Sequence, residues 1–336
     1  MLGHCIKRNV SRKGHDFLDF NRKIYVAGYS GLVGSAIVRE LKRQGYKNLC
    51  LVQHNSLDLR DQSQVNNFFA IEKPEYVFMA AATVGGLVIN DRLPATFFYD
   101  NMQMGLNVIN SAYKNGVKKL LYMGSSCIYP KFAEQPIKED SLLTGSLEKT
   151  NEAYAIAKIA CLKMCEFYNK EYGTDFISCM PCNAYGPGDS FDPEGAHVVP
   201  ALIRKFHEAK EKNASEVIMW GTGKAIREFI YIDDIAKAAV FLMKNYSGNE
   251  TVNVGTGTEY SIQELAEIIK NVVGYKGKIT NDITKPDGTP RKLVDSSKIF
   301  KMGWKPETSF EEGIKITYRD YLEHLSEYNN RRKKTC

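Results

Sequence analysis

Three glycines between two patterned segments constrain this chain most. Lys23-Ile24-Tyr25-Val26-Ala27 is short, apolar and partly β-branched, the pattern of a buried strand. Gly28-Tyr29-Ser30-Gly31-Leu32-Val33-Gly34 follows at once. Ser35-Ala36-Ile37-Val38-Arg39-Glu40-Leu41 then spaces its apolar residues at helical intervals, and the pattern stops at Gly45. Strand, glycine turn and helix in this order open a doubly wound α/β sheet. The glycines let the backbone approach a pyrophosphate, and the helix start offers N–H groups with no internal partner. Residues 28–34 are therefore expected to line a dinucleotide, although the spacing is GxxGxxG rather than GxGxxG.

The alternation continues. Strand patterns fall at 49–52, 75–80, 119–123 and 175–180, with helical patterns at 34–44, 63–71, 95–114 and 152–172. Such alternation argues for a Rossmann-like, doubly wound parallel sheet. Ligands bind such sheets at the carboxyl ends of the strands, where Gly28, His54, Ala81, Ser125 and Cys182 all fall. Beyond Pro181 the pattern is irregular. Residues 183–195, rich in Gly, Pro and Asp, are expected to form a long binding loop. Helices are expected at 197–210, 233–244 (capped by Asp234) and 261–273, where Ser261 and Glu264 form a capping box. Strands are expected at 216–220, 228–232 and 251–254, and residues 285–292 as an exposed turn loop.

The chain has 336 residues, 43% hydrophobic and 25% charged, like an ordinary soluble globule. No apolar run has the length of a membrane span. The basic, polar N-terminus lacks an apolar signal core, and Asp16 and Asp19 count against a transit peptide, so a cytoplasmic enzyme is expected. The net charge of +6 comes partly from the tail Arg331-Arg332-Lys333-Lys334, a solvated end rather than a nucleic-acid patch. The eight cysteines are expected as reduced thiols. Cys179 and Cys182 have CxxC spacing but no second ligand pair, so packing is expected rather than a metal. Cys161 and Cys165 are expected in the core.

Tyr154-Ala155-Ile156-Ala157-Lys158 is the main chemical signal, preceded by Gly124-Ser125-Ser126-Cys127. A tyrosine and a lysine four apart share one helix face. A nearby ammonium lowers a phenol's pKa, which suits proton exchange with a carbonyl or alcohol oxygen. Ser125, just after an apolar run, is placed to hydrogen-bond the same oxygen. Taken alone, YxxxK more often marks a shared surface. The glycine turn upstream favours chemistry.

With these residues together, the chain resembles the extended short-chain dehydrogenase/reductases that act on nucleotide sugars. The matching stretches are GSSCIYP at 124–130, NEAYAIAK at 151–158, HVVPALIRKFHEA at 197–209, WGTGKAIREF at 220–229, VNVGTG at 252–257 and KPDGTPRKL at 285–293. They span roughly residues 21–325 and point to the branch that turns GDP-4-keto-6-deoxymannose into GDP-L-fucose. The resemblance implies a reductase set of Ser125, Tyr154 and Lys158, and an epimerising base and acid in Cys127 and His197. It implies that Lys205, Trp220, Arg227, Asp287 and Lys292 hold the GDP-sugar. Met123, Gly124, Ser126, Pro181, Cys182, Asn183, Ala184 and His197 would line the cofactor with the glycine turn, and Asp58 would meet the adenine.

Three departures stand out. Lys205 replaces a frequent arginine and so lacks its planar fork. Pro181-Cys182-Asn183-Ala184-Tyr185-Gly186-Pro187-Gly188 differs from the usual Pro-Thr-Asn-Leu-Tyr-Gly-Pro-His. Val52-Gln53-His54-Asn55 carries no acid for ribose hydroxyls, which favours NADPH over NADH. Yet Ser30 and His54 stand where relatives place arginines on the 2′-phosphate.

The implied division is an extension at 1–20, disordered; a cofactor domain at 21–182 plus 226–258; a smaller α/β substrate domain at 183–225 plus 259–326; and a basic tail at 327–336. The family's homodimers pack the helices near 95–114 and 152–172.

The chemistry also stands by itself. A 4-keto sugar has acidic protons at its third and fifth carbons. Their inversion needs a base on one face and an acid on the other. A thiol near pKa 8.5 and an imidazole near 6.5 bracket neutral pH. Two same-fold rivals remain, a 4-epimerase and a 4,6-dehydratase. The dehydratase carries an Asp-Glu pair where Ser126-Cys127 stands, and the epimerase needs no Cys127 and His197. A non-catalytic dinucleotide sensor would lack the Tyr and Lys.

Overall fold

Strand β1 (Ile24–Ala27) lies inside a six-stranded parallel sheet and decides where a ligand can sit. The computed structural model describes residues 17, 19–192, 195–285 and 287–331. The rest of the 1–20 extension, residues 332–336 of the tail, Cys5, Cys336 and Pro286 lie outside the described residues. In chain order the strands continue β2 (Leu49–Cys50), β3 (Tyr76–Met79), β4 (Lys119–Met123), β5 (Phe176–Pro181), β6 (Asn183–Tyr185), β7 (Glu216–Trp220), β8 (Ile226–Tyr231), β9 (Val252–Val254), β10 (Glu259–Ser261), β11 (Lys278–Asp282) and β12 (Arg291–Lys292). The helices are α1 (Leu32–Arg43), α2 (Gln62–Glu72), α3 (Leu87–Arg92), α4 (Pro94–Lys114), α5 (Glu152–Tyr172), α6 (Val198–Glu211), α7 (Ile232–Asn245), α8 (Ile262–Val273), α9 (Ser297–Lys301), α10 (Phe310–Glu323) and α11 (Leu325–Arg331).

The main sheet runs β2-β1-β3-β4-β5-β9, and β1, β3, β4, β5 and β9 are buried along their whole length. Continuous apolar strands are what a sheet covered on both faces requires. α1 packs with α7, and α4 with α5. Because β2 and β3 flank β1, the strand order reverses there, and the crevice opens at the carboxyl ends of β1 and β3.

Strand β8 leads a second sheet. It pairs with β10 antiparallel and with β12 and β6 parallel, while β7 pairs with β11. Several local expectations change. Strand two ends at Cys50, because β2 is an edge strand with one partner. Asn183–Tyr185 and Arg291–Lys292 are strands rather than loop, since β8 supplies both with a ladder. Asp234 does not cap α7. It is buried in the first turn and accepts N–H bonds from Glu307 and Thr308 at 3.2 and 2.8 Å. The expected capping box at Ser261 and Glu264 is present. Phe17 departs from the disorder expected of 1–20: it is buried edge-on against Tyr76, and its carbonyl accepts the Tyr46 hydroxyl. Cys161 and Cys165 are buried, as expected.

Candidate active site

The glycine turn is tight for a steric reason. Gly28 has φ +77°, and a Cβ there would lie 2.7 Å from the Ala81 backbone, so the ends of β1 and β3 touch. A Cβ on Gly34 would overlap the Gly28 carbonyl. Gly31 precedes α1, with no side-chain cap and no acid in the first turn. The first N–H groups of α1 are therefore free for an anion, and the residues present fit a dinucleotide pyrophosphate. Tyr29, Leu32 and Val33 pack partly against the core, and Ser30 is exposed. His54 is exposed as well. Asp58 accepts from the Arg60 backbone and guanidinium at 2.8 to 3.2 Å, and these bonds hold its carboxyl low, at about 2.

Beyond β4 the chain turns through Gly124, where a Cβ would overlap the Met180 sulfur. Ser125, extended, precedes a 3₁₀ turn at Ser126–Ile128 and accepts the Cys127 N–H at 3.2 Å. Its hydroxyl also acts to lower the pKa of both Tyr154 and the Cys127 thiol. Lys158 is buried one helical turn on from Tyr154 and donates to the Met123 carbonyl at 2.9 Å. Burial lowers its ammonium to about 8. Here one expectation fails: the Tyr154 pKa is raised, first by burial and then by the neighbouring Cys127 charge. The ammonium, 5.9 Å from the ring centroid, is engaged with Met123 and does not offset this. Tyr154 thus stays a phenol at neutral pH and keeps its proton to give.

Cys127 shifts the other way. Burial alone would raise its pKa, but Lys292, the Ser125 hydroxyl and Arg227 outweigh it, and the net direction is down. Lys292 Nζ donates to Cys127 Sγ at 3.8 Å across 165 residues of chain. Sequence reasoning placed Lys292 with the GDP-sugar and missed this contact.

His197 sits just before α6 without making a side-chain cap bond. Its side chain reaches solvent, while the protein on its other sides lowers the imidazole below its ordinary value. The Gly86 N–H donates to the Gly195 carbonyl, joining this loop to α3. α3 in turn packs on the 149–151 turn that leads into α5. No hydrogen bond links His197 to Cys127 among the described residues.

At the far end Trp220 is exposed, with Lys205 and Lys285 5.8 and 5.7 Å from its ring. Asp287 accepts the Thr222 N–H and hydroxyl at 2.9 and 2.7 Å, which pins the turn after Trp220. The Arg227 guanidinium donates to the Ile226 carbonyl and has no ion pair among the described residues. Burial lowers its pKa, against the raising effect of Cys127 and Asp287. Pro181 and Cys182 are buried, Ala184 is half-buried, and the Asn183 amide donates to the Glu228 carbonyl at 2.6 Å. Glu228 itself was missed, although an acid inside an apolar strand pattern signals a buried carboxylate that needs backbone donors.

Residues 24–255, more than half of the chain, match the NAD dependent epimerase/dehydratase family. The chain belongs to this family. Within it, the chain is 58% identical over 314 residues to a putative GDP-L-fucose synthase 2 of Arabidopsis thaliana, covering 94% of this chain and 96% of that one. It is also similar to a GDP-6-OMe-4-keto-L-xylo-heptose reductase from C. jejuni, with TM-score 0.87 and 39% identity over 91% and 99% of the two chains. A GDP-L-fucose synthetase from Naegleria fowleri bound to NADP gives TM-score 0.85 and 32% identity over 91% and 94%.

Proposed function

We propose that this chain converts GDP-4-keto-6-deoxymannose to GDP-L-fucose by 3,5-epimerisation followed by NADPH-dependent reduction of the ketone. The observation that carries it is the Cys127 sulfur held 3.8 Å from the Lys292 ammonium, beside Ser125, which accepts the Cys127 N–H, with Tyr154 near enough to feel the Cys127 charge. Ser125 and Tyr154 hydrogen-bond the ketone oxygen and stabilise the enolate. At each carbon beside the ketone, Cys127 as thiolate takes the proton and becomes a thiol, His197 delivers a different proton to the opposite face, and exchange with water resets the pair. When bound along the glycine turn, NADPH would supply the hydride for the fourth carbon. Tyr154 then gives its phenolic proton to the oxygen, and Lys158 fixes the site from the end of β4. Arg227, Lys205, Lys292, Asp287 and Trp220 hold the GDP portion or its sugar. Asp58 lies toward the adenine, and Ser30 and His54 toward the 2′-phosphate.

The cofactor part, 21–182 plus 226–258, and the substrate part, 183–225 plus 259–326, meet at β8, which pairs with β6, β10 and β12 while the following α7 packs on α1. Exposed Phe98 and Tyr113 on α4, with Ile156, Phe167 and Tyr172 on α5, support a homodimer through these helices. Among the described residues no helix is long and apolar enough to cross a membrane, and a cytoplasmic location accords with an NADPH-dependent reaction. The test is to incubate the protein with GDP-4-keto-6-deoxymannose and NADPH and identify the sugar. GDP-L-fucose with loss of reduced-nicotinamide absorbance is expected. A flat absorbance, or a 6-deoxy sugar not inverted at the third and fifth carbons, overturns the reading.

A further inference from the structure

We propose that the buried carboxylate of Glu228 is a positioning residue that holds Lys292 against the Cys127 sulfur before substrate arrives. This rests on the reading of Cys127 as the epimerising base. Glu228 is 0% exposed within β8 and has no ion pair among the described residues. A charge so placed is destabilising unless its oxygens are fully hydrogen-bonded. One oxygen accepts the N–H groups of Thr256 and Gly257, both at 2.7 Å, and the other accepts the Val294 N–H at 3.1 Å; burial still outweighs these donors and raises the carboxyl above its ordinary range.

Those donors have a pattern. Val294 lies two residues beyond Lys292, just past the end of β12, whose ladder with β8 spans only Arg291 and Lys292. Such a short strand holds its side chains weakly unless something extends the attachment. Glu228 does so from β8, and the Ile137 backbone does so from the other side through Leu293 and Asp295. The other Glu228 oxygen grips the turn after β9, where a Cβ on Gly255 would overlap it. One carboxylate thus ties the end of the main sheet to the strand that carries Lys292. In register, Lys292 faces Arg227, so both cations that act on Cys127 are borne beside Glu228.

The groups around Cys127 are Lys292, Arg227, Tyr154 and the Ser125 hydroxyl; beside Glu228 is the Cys182 thiol, which burial first and then the carboxylate charge push well up. Glu228→Gln replaces one acceptor by a donor that faces an N–H, so one of the two grips is lost. Glu228→Asp keeps the charge but withdraws it by one methylene.

The test measures iodoacetamide alkylation of Cys127 in the full chain against pH, followed by mass spectrometry of its peptide. The thiolate attacks the methylene carbon and iodide leaves, so the rate reports thiolate. Lys292→Met should move the midpoint up by about one pH unit or more, from loss of an opposite charge at close range. Glu228→Gln should move it in the same direction, and the double variant should move no further than Lys292→Met alone. If Glu228→Gln does not fold, Glu228→Asp takes its place, with an upward shift expected. A folded Glu228 variant with the wild-type midpoint overturns the proposal, and so does a double variant that shifts beyond Lys292→Met. A purely structural role would lower Tm and leave the midpoint in place. The base reading fails separately, if Cys127→Ser still exchanges the sugar's protons at the wild-type rate while Lys292 and Glu228 variants shift the thiol.

Discussion

The Lys158 ammonium donates to the Met123 carbonyl at 2.9 Å and so ties α5 to the last residue of β4. The contact keeps a charge in a site where burial opposes it. This gives the site rigidity at the expense of fold stability.

That conflict predicts a pH signature. The lysine falls from 10.5 to about 8 on folding, so the folded state loses its proton before the unfolded state does. Below about pH 8 both states are charged and the destabilisation is fully present. It is relieved as pH rises from 8 towards 10.5, and the fall corresponds to something on the order of 3 kcal/mol. Lys158→Met removes the charge but leaves the Met123 carbonyl short of a donor. The variant should lose reduction, yet melt at or above the wild-type temperature at pH 7. Its advantage should shrink by pH 9.5. Paired melting curves at the two pH values check this; a variant far less stable at pH 7 refutes it.

Cys127 and Tyr154 should separate the two half-reactions. Cys127→Ser exchanges a thiol of lowered pKa for a far weaker base. It should slow exchange of the third- and fifth-carbon protons with heavy water by about 10²–10⁴, while hydride transfer to the unepimerised ketone stays possible. Tyr154→Phe should lose reduction by a similar factor and keep some exchange, since Ser125 still polarises the carbonyl. NMR in heavy water with oxidised cofactor reads exchange, and absorbance reads reduction. Equal loss of both activities in each variant would defeat the division.

Arg227 is a half-buried cation without a carboxylate partner among the described residues. The proposed function gives it the anionic diphosphate of the substrate as partner. Arg227→Ala should raise KM roughly ten- to hundredfold, from the ~1.5–3 kcal/mol of a charge-assisted hydrogen bond, with little change in Tm. Steady-state kinetics beside a melting curve decides. A drop in Tm with KM unchanged would make the residue structural.

Trp220 offers a direct optical probe. The chain has two tryptophans, of which Trp304 is 6% exposed and Trp220 59%. GDP binding beside Lys205 and Lys285 should change emission from Trp220 alone. Titration with GDP should quench wild-type fluorescence in a saturable way, and Trp220→Phe should abolish the response. A persisting signal in that variant would move the nucleotide site elsewhere.

Much of this was legible locally. The glycine turn, the alternation and the YxxxK pair are short-range patterns, because strand and helix periodicities repeat within a few residues. So was the Ser261–Glu264 box, which spans one turn. What the chain could not reveal by itself was partnership over distance. No local pattern says that β8 joins β6, β10 and β12, or that residues 291–292 form a strand, because a ladder depends on which edge is free in the folded molecule. Nor does it say that Phe17 docks on Tyr46 and Tyr76, or that Asp234 turns inward to Glu307 and Thr308. The pKa of Tyr154 was misjudged for the same reason: the ammonium four residues on is local, but the burial that dominates comes from the whole fold. Sequence determined the chemical groups at the site and the sheet that carries them. Tertiary structure alone brought Lys292 to Cys127, because only packing sets the charges and the dielectric around a side chain.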